Sequence, residues 1–352
     1  MDTLTHALSG ALAARATAAG RATPPEIPLW QRYAVGMTAA AFPDIDFVIG
    51  FVSQLEYLMH HRGVTHSIPL LPLWALLLAW LAARIFRNPH GFRPYFAISA
   101  IGIGLHIVGD LITSFGTMVF APFSDLRVAW NLTFIIDLWA SGIIIAGLAA
   151  SLAWRRSRIP AVLASVVLAA YIGFQWYQRN EAVRVGEEFA RSQGLDGARV
   201  TAQPRPVSPL NWTVVVAQDG EFRYAHVNLW RTHVPVPAAP EAGLFERISS
   251  HYRPPPAAIW NRAALFGSGG DAVLARTAWE ERGFAFYRWF ADYPALLRID
   301  RGNPSTCVWF HDLRFENPGT ERDIFRIGLC RENEGPWHPY VLDSDGGRRA
   351  LR

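Results

Sequence analysis

The long apolar stretches of this 352-residue chain all fall before Tyr177, and that asymmetry restricts the fold more than any single motif does. Residues 68–86, 95–112, 138–154 and 159–177 each approach the roughly 20 residues that cross a bilayer core as a helix. Inside lipid there is no water to bond the backbone, so such segments form helices that satisfy their own N–H and C=O groups. Residues 33–52 make a fifth apolar segment, interrupted by Pro43, Asp44 and Asp46, and residues 4–19 a shorter Ala-rich helix. The front, residues 1–180, is thus expected to be an α-helical polytopic membrane domain of about five to six helices.

After Tyr177 the pattern changes. A polar helical stretch reaches about Arg191, and the Pro-rich segment TAQPRPVSPL occupies 201–210. Runs rich in β-branched and aromatic residues follow at 212–217, 221–230, 296–300, 306–315, 324–331 and 338–342, with Asp219-Gly220 as a hairpin signal between the first two. Residues 181–352 are therefore expected to form a small α+β domain, with only the last eight or so residues disordered. Cys307 and Cys330 both lie in strand-like runs, where they either pair, if this half meets an oxidising compartment, or remain two separate buried thiols.

All 33 basic residues are Arg, and with a pI near 9.3 such a charge permits nucleic-acid binding. None forms a dense run beyond 155–158, however, and that cluster beside an apolar segment fits membrane topology instead, so no nucleic-acid partner is expected. Arg15, Arg21 and Arg32 flank one connection, Arg84, Arg87 and Arg93 another, and Arg155, Arg156 and Arg158 a third. By the positive-inside rule these three are cytoplasmic, which sends residues 53–67, residues 113–136 and the whole C-terminal domain to the outer side. The first residues lack the basic region of a cleavable signal peptide, so this segment is expected to be retained.

Against the apolar background stand His6, Asp44, Asp46, His61, His66, His106, Asp110 and Asp137, all on the expected outer side. A carboxylate at membrane depth costs about 2.5 to 3.5 kcal/mol, and ionisable residues there mark function. His106 and Asp110, four apart, share one helix face and can chelate one ion. His61 and His66 converge only if the segment turns, which Gly63 permits; the plainer reading is an interfacial loop in which His and Arg meet headgroups. Asp44 and Asp46 share a side only on extended backbone; otherwise they are a pair of helix-end acids. His6 projects from the first helix, which Asp2 or Thr3 can cap. Asp137 opens a helix, where an acid is more often a dipole partner than a ligand. Such a His and Asp set suits zinc or manganese and phosphoester hydrolysis by an activated water. In that scheme Arg62 neutralises an anionic substrate, and Asp46 or Asp137 takes the proton.

The ordered set MDTLTHALSG, PDID, HRGVTHS and HIVGDLITSFGT resembles the YdjM-type family of bacterial and archaeal inner-membrane proteins, over about residues 1–180. That resemblance implies a metal-dependent hydrolase in the inner membrane, with His6, Asp44, Asp46, His61, His66, His106 and Asp110 at the family's polar positions. The order of the motifs is also similar to the zinc-dependent phospholipase C and P1 nuclease group, which implies phosphoester substrates. This chain departs from that group in having no H-x-x-x-E helix after Asp137, so a three-zinc centre lacks its ligands.

The expected function is a membrane-bound, metal-dependent hydrolase of a lipid or lipid-linked phosphoester. Two other classes use the same residues: a metal transporter or sensor, and a membrane protein that binds a regulator without catalysis. A transporter needs polar residues continuing to the cytoplasmic side, and between Ile68 and Arg84 there are none. The basic loops are short, which leaves little surface for a regulator.

Overall fold

The computed structural model describes residues 1–18, 27–239, 241–302, 304–320 and 325–351. Ala19, Arg21 and Ile324, assigned above to a helix, a connection and a strand, and Arg352 in the tail lie outside the described residues. The chain divides into two compact units, the first made of Met1–Val52 with His60–Tyr177 and the second of Ser53–Met59 with Gln178–Arg352.

The first unit is helical. Helix α1 (Thr3–Ala16) is capped by Asp2, whose carboxylate accepts the Thr5 N–H, and it crosses α2 (Leu29–Ala41) at a pair of glycines. A Cβ on Gly10 would lie 2.1 Å from the Gly36 carbonyl oxygen, and one on Gly36 would lie 2.5 Å from that of Gly10, so only glycine permits this approach. Small residues at a crossing are how apolar helices pack closely where lipid supplies no hydrophobic drive. Gly102 on α5 (Arg93–Leu111) does the same against Ala39 and Ala40 of α2. At the far end of α1, Arg15 donates to the carbonyls of Arg155 and Ser157, and Arg32 to those of Ala14 and Thr17. Guanidinium groups here complement the negative helix end and bond carbonyls that have no partner within the helix.

The apolar segment at 33–52 is not one α-helix. It ends as α-helix at Ala41 and continues as a tighter 3-10 stretch, Phe42–Phe51, because Pro43 cannot donate to the ladder. Helix α3 (Gln54–His60) and a 3-10 turn (Val64–His66) lead to α4 (Leu71–Ile85), bent from them by 78°. At 15 residues α4 is shorter than the segment 68–86, its start set by Pro72 in the first turn. Helix α6 (Leu138–Ala153), 16 residues long, spans only about 24 Å by helical rise, and α7 (Ile159–Ser192) runs for 34 residues. Among the described residues three stretches, Leu29–Phe51, Arg93–Leu111 and Ile159–Ser192, are long and apolar enough to cross a bilayer, and the bent pair Gln54–His66 with Leu71–Ile85 would make a fourth. The clean span expected at 138–154 is thus a shorter helix, and that expected at 68–86 is one arm of a bent pair.

The second unit carries two antiparallel sheets. One has strands β1 (Arg199–Pro204), β2 (Asn211–Gln218), β3 (Glu221–Asn228) and β4 (Asn261–Ala264) in sequence order. The other has β5 (Pro294–Arg301), β6 (Ser305–Asp312), β7 (Ile327–Glu332), β8 (His338–Leu342) and β9 (Arg348–Ala350). Three helices, α8 (Leu244–Ser249), α9 (Gly269–Glu280) and α10 (Ala285–Phe290), complete it. The Asp219-Gly220 turn has both residues at positive φ and joins β2 to β3. The Pro-rich segment at 201–210 carries the end of strand β1, an edge strand that closes on Pro204, where the missing N–H costs no pairing. One expectation is corrected. The tail expected to be disordered pairs as β9 with β8. Cys307 and Cys330 face each other across β6 and β7 and form a disulfide, which settles the two readings left open above.

Candidate metal centre

Four segments converge at one end of the first unit. The capped first turn of α1 supplies His6, the 3-10 stretch after Pro43 supplies Asp44 and Asp46, the turn after α3 supplies His61, Arg62 and His66, and α5 supplies His106 and Asp110. Side chains two apart on a 3-10 helix diverge by about 240°, so Asp44 and Asp46 part company. Asp44 faces His66 and His106, whereas Asp46 turns to the 61–66 segment, so the shared side expected of extended backbone is not how they act. The turn that brings His61 and His66 together is made at Arg62, whose φ is 61°, and not at Gly63. Gly63 is required for another reason: a Cβ there would lie 2.8 Å from the His60 carbonyl oxygen.

Asp44, His66, His106 and Asp110 offer one ligand atom each, all within 4.8 Å of one another. His66 Nε2 and His106 Nε2 stand 2.9 Å apart, and Asp110 Oδ2 lies 3.2 Å from the first and 3.4 Å from the second. Asp44 Oδ1 is 3.5 Å from His106 Nε2 and 3.8 Å from His66 Nε2. The opposite ring nitrogens decide which atoms carry protons. His106 Nδ1 donates to the Ala40 carbonyl at 2.6 Å. That carbonyl lies in the last turn of α2, and the residue three further on is Pro43, which has no N–H to offer it. His66 Nδ1 is 3.0 Å from the Thr65 hydroxyl and 3.5 Å from Asp46 Oδ2. With Nδ1 of each ring turned to a hydrogen-bond partner, both Nε2 atoms present lone pairs to the same point.

Asp110 Oδ2 is the telling atom. It is buried and has no hydrogen-bond donor, although Asp110 is wholly buried. Two imidazole lone pairs and two carboxylate oxygens directed at one volume without a proton between them are a donor set for a divalent cation, and mixed N and O ligands suit zinc or manganese. The residues present therefore fit a metal.

The remaining site candidates surround this group. His6 Nε2 is 3.1 Å from Asp110 Oδ1, and its ring stacks on His106 at 3.7 Å between centroids. Space for it depends on Gly109, where a Cβ would lie 2.9 Å from His6 Cε1. The Met1 amino group also pairs with Asp110. Asp46 accepts from the Arg62 N–H at 2.9 Å and pairs with His61 Nδ1 at 2.9 Å, so it orients the segment that carries His66. Arg62 does not face an opening. It is buried, its Nη2 lies 2.9 Å from Asp110 Oδ1, and its Nη1 donates to Thr113 at 2.9 Å, so it pins Asp110 rather than awaiting an anionic substrate. Asp137 is not brought into the group. Its carboxylate caps α6 through the N–H groups of Trp139 and Ala140 and accepts from the Tyr171 hydroxyl at 2.7 Å, which leaves it no visible role as a proton acceptor. The sequence reading missed the Ala40 carbonyl and Thr65. Thr65 sits inside the HRGVTHS motif, whereas a backbone carbonyl leaves no mark in a sequence.

Residues 1–182 match the family described as YdjM inner membrane protein. Among curated proteins the chain is similar to the uncharacterized protein YfhP of Bacillus subtilis (strain 168), with 28% identity over 132 residues. That alignment spans 38% of this chain and 39% of the relative, well under two thirds of the relative's length. No solved structure matches, so the likeness to the phospholipase C and P1 nuclease group rests on motif order alone.

Proposed function

The chain belongs to the YdjM inner membrane protein family, and from that premise we infer that it is a membrane-bound, metal-dependent hydrolase acting on a phosphoester of a lipid or lipid-linked substrate. The observation that carries this reading is the convergence of His66 Nε2, His106 Nε2 and the donorless Asp110 Oδ2 beside Asp44. A divalent ion held by these four residues would supply a more acidic water and polarise a phosphoryl oxygen.

The protein's own groups supply the rest. Arg62 and His6 hold Asp110 in place, and Ala40 and Thr65 fix the two imidazoles. We assign the proton acceptor to His61, oriented by Asp46 and 16% exposed at its side chain, in place of the Asp46 or Asp137 expected from residue type. Asp44 is the most exposed of the four ligands, also at 16%, and the chain around it presents Leu4, Ile45, Phe47 and Val48 to the outside. An apolar rim beside a polar centre favours an amphiphile over a soluble nucleotide. The Cys307–Cys330 disulfide supports an oxidising location for the second unit, which agrees with the outer side of the inner membrane read from the arginines.

Elemental analysis of the detergent-purified protein beside the His66→Ala/His106→Ala double variant tests the centre. The expected result is about one equivalent of zinc or manganese in the parent and none in the variant, followed by turnover in a phospholipid and phosphoester screen. Equal metal content in both would remove the reading.

A further inference from the structure

The second unit holds a cavity of about 560 Å³ that the metal chemistry does not use. His226, Arg247, His251 and Arg253 line it, and no Asp or Glu is among its lining residues; Glu241 and Glu246, on the same loop and helix, are exposed elsewhere. Behind His226 stands a buried arginine, Arg205, whose charge Glu316 and Asp312 oppose. Arg205 donates through Nη1 and Nη2 to the carbonyls of Arg314 and Leu313, and through Nε to the Thr213 hydroxyl at 2.5 Å. The Thr213 oxygen is then engaged as acceptor, so its proton goes to His226 Nδ1, 2.8 Å away. Burial, with Arg205 and His251 adding to it, pushes the His226 imidazole down to about 3, so the ring is neutral and carries its one proton on Nε2. The cavity wall therefore presents a fixed N–H donor. His251 donates Nδ1 to the Arg247 carbonyl at 2.8 Å, which orients its ring in turn.

The rim has the opposite character. Val236, 84% exposed, stands between Pro235 and Pro237 of the lining, and Ile259, also of the lining, is exposed. Leu244, three residues before Arg247 and therefore on the same face of α8, is exposed as well. Arg231 ties the base of this loop down by donating to the carbonyls of Ser249 and Tyr252.

We propose that this cavity binds the phosphate of a lipid headgroup, with the exposed Val236, Leu244 and Ile259 set against the lipid's acyl chains. Two arginines and a fixed imidazole N–H match an oxyanion, and exposed aliphatic groups beside them match the rest of an amphiphile and not a free ion. The site is independent of the metal centre, so either can fail alone.

Native mass spectrometry of the full chain in detergent, titrated with phosphatidylglycerol or with phosphate-free diacylglycerol, tests it. Arg253 meets its neighbours through its backbone, donating to the His226 carbonyl at 3.2 Å and accepting from the Asn228 N–H at 2.8 Å, so Arg253→Gln preserves those bonds. The expected result is preferential retention of phosphatidylglycerol, lowered about tenfold in Arg253→Gln and in His226→Gln, lowered also in Val236→Ser/Leu244→Ser, and unchanged in His106→Ala. An unaltered thermal unfolding profile of Arg253→Gln excludes misfolding as the cause. Equal retention of diacylglycerol, or undiminished phosphatidylglycerol in Arg253→Gln, would overturn the proposal. Displacement by millimolar inorganic phosphate would overturn the lipid assignment in favour of a free-phosphate site.

Discussion

Each unit buries a carboxylate beside an arginine, and the two are completed differently. In the second unit Asp312 Oδ2 receives Arg314 Nη2 at 2.7 Å, Arg314 Nε at 2.8 Å and the Asp292 N–H at 3.0 Å, and Oδ1 receives the Arg314 N–H at 2.9 Å, so each oxygen has a donor. In the first unit Asp110 takes Arg62, His6 and the Met1 amine on Oδ1, while Oδ2 faces two more lone pairs and no donor. A buried charge with a donor on each oxygen is scaffold, and one left with a donorless oxygen in a ring of acceptors is a site. Burial and an arginine neighbour, which the two share, do not distinguish them.

Substitution separates the two most sharply. Asp312→Ala leaves the buried Arg314 with too few partners and is expected to destabilise the second unit by about 3 kcal/mol, seen as a lower unfolding temperature, without changing bound metal. Asp110→Asn should do the reverse, abolishing bound metal and the rise in unfolding temperature on metal addition while the protein still inserts. If both variants lost metal equally, the contrast would collapse.

Finer changes sharpen the same contrast. Gly109→Ala places a methyl group 2.9 Å from His6 Cε1 and is expected to weaken metal binding about tenfold through displacement of His6 alone, read by competition with a chelator. The second unit should be acid-labile on its own account. Burial pushes His226 down to about 3 and His311 to about 4, so the folded unit keeps both neutral while the unfolded chain takes up protons below about 6.5. Their stabilisation is complete above pH 6.5 and is lost as pH falls towards 4, by about 2 kcal/mol for each imidazole at pH 5. Glu316, held above the usual carboxylate range by burial, opposes this at the lower end. Thermal unfolding followed from pH 7 to 4.5 reads the slope, and a flat profile would show that the imidazoles are not held neutral. The smallest effect belongs to Asp137→Ala, which removes the α6 cap and should cost about 1 kcal/mol with metal content unchanged.

Much of this was legible in the chain. Apolar length marked the helical front, alternation and Asp219-Gly220 marked the hairpin of β2 and β3, and the i, i+4 spacing of His106 and Asp110 put two ligands on one face. What was not legible is instructive. Pro43 announced a break but not the 3-10 geometry that separates Asp44 from Asp46, so one became a ligand candidate and the other a support. Arg62 has the residue type of a substrate clamp, yet its partner is Asp110, 48 residues on, and sequence spacing carries no record of such a pairing. Short elements such as β4 and β9 are set by the strands they pair with, and their own four and three residues hold too little pattern to be read.

The hydrogen bond from His106 to the Ala40 carbonyl has a consequence for genetics. The acceptor belongs to the main chain, so every amino acid at position 40 carries it, and a saturation library could change the side chain there without ever deleting the group that holds the imidazole. Such a survey would record Ala40 as a packing position against Gly10 and Gly102 and pass over its part in the centre. An ester in place of the peptide bond between Ala40 and Ala41, which weakens the carbonyl as an acceptor, would expose it.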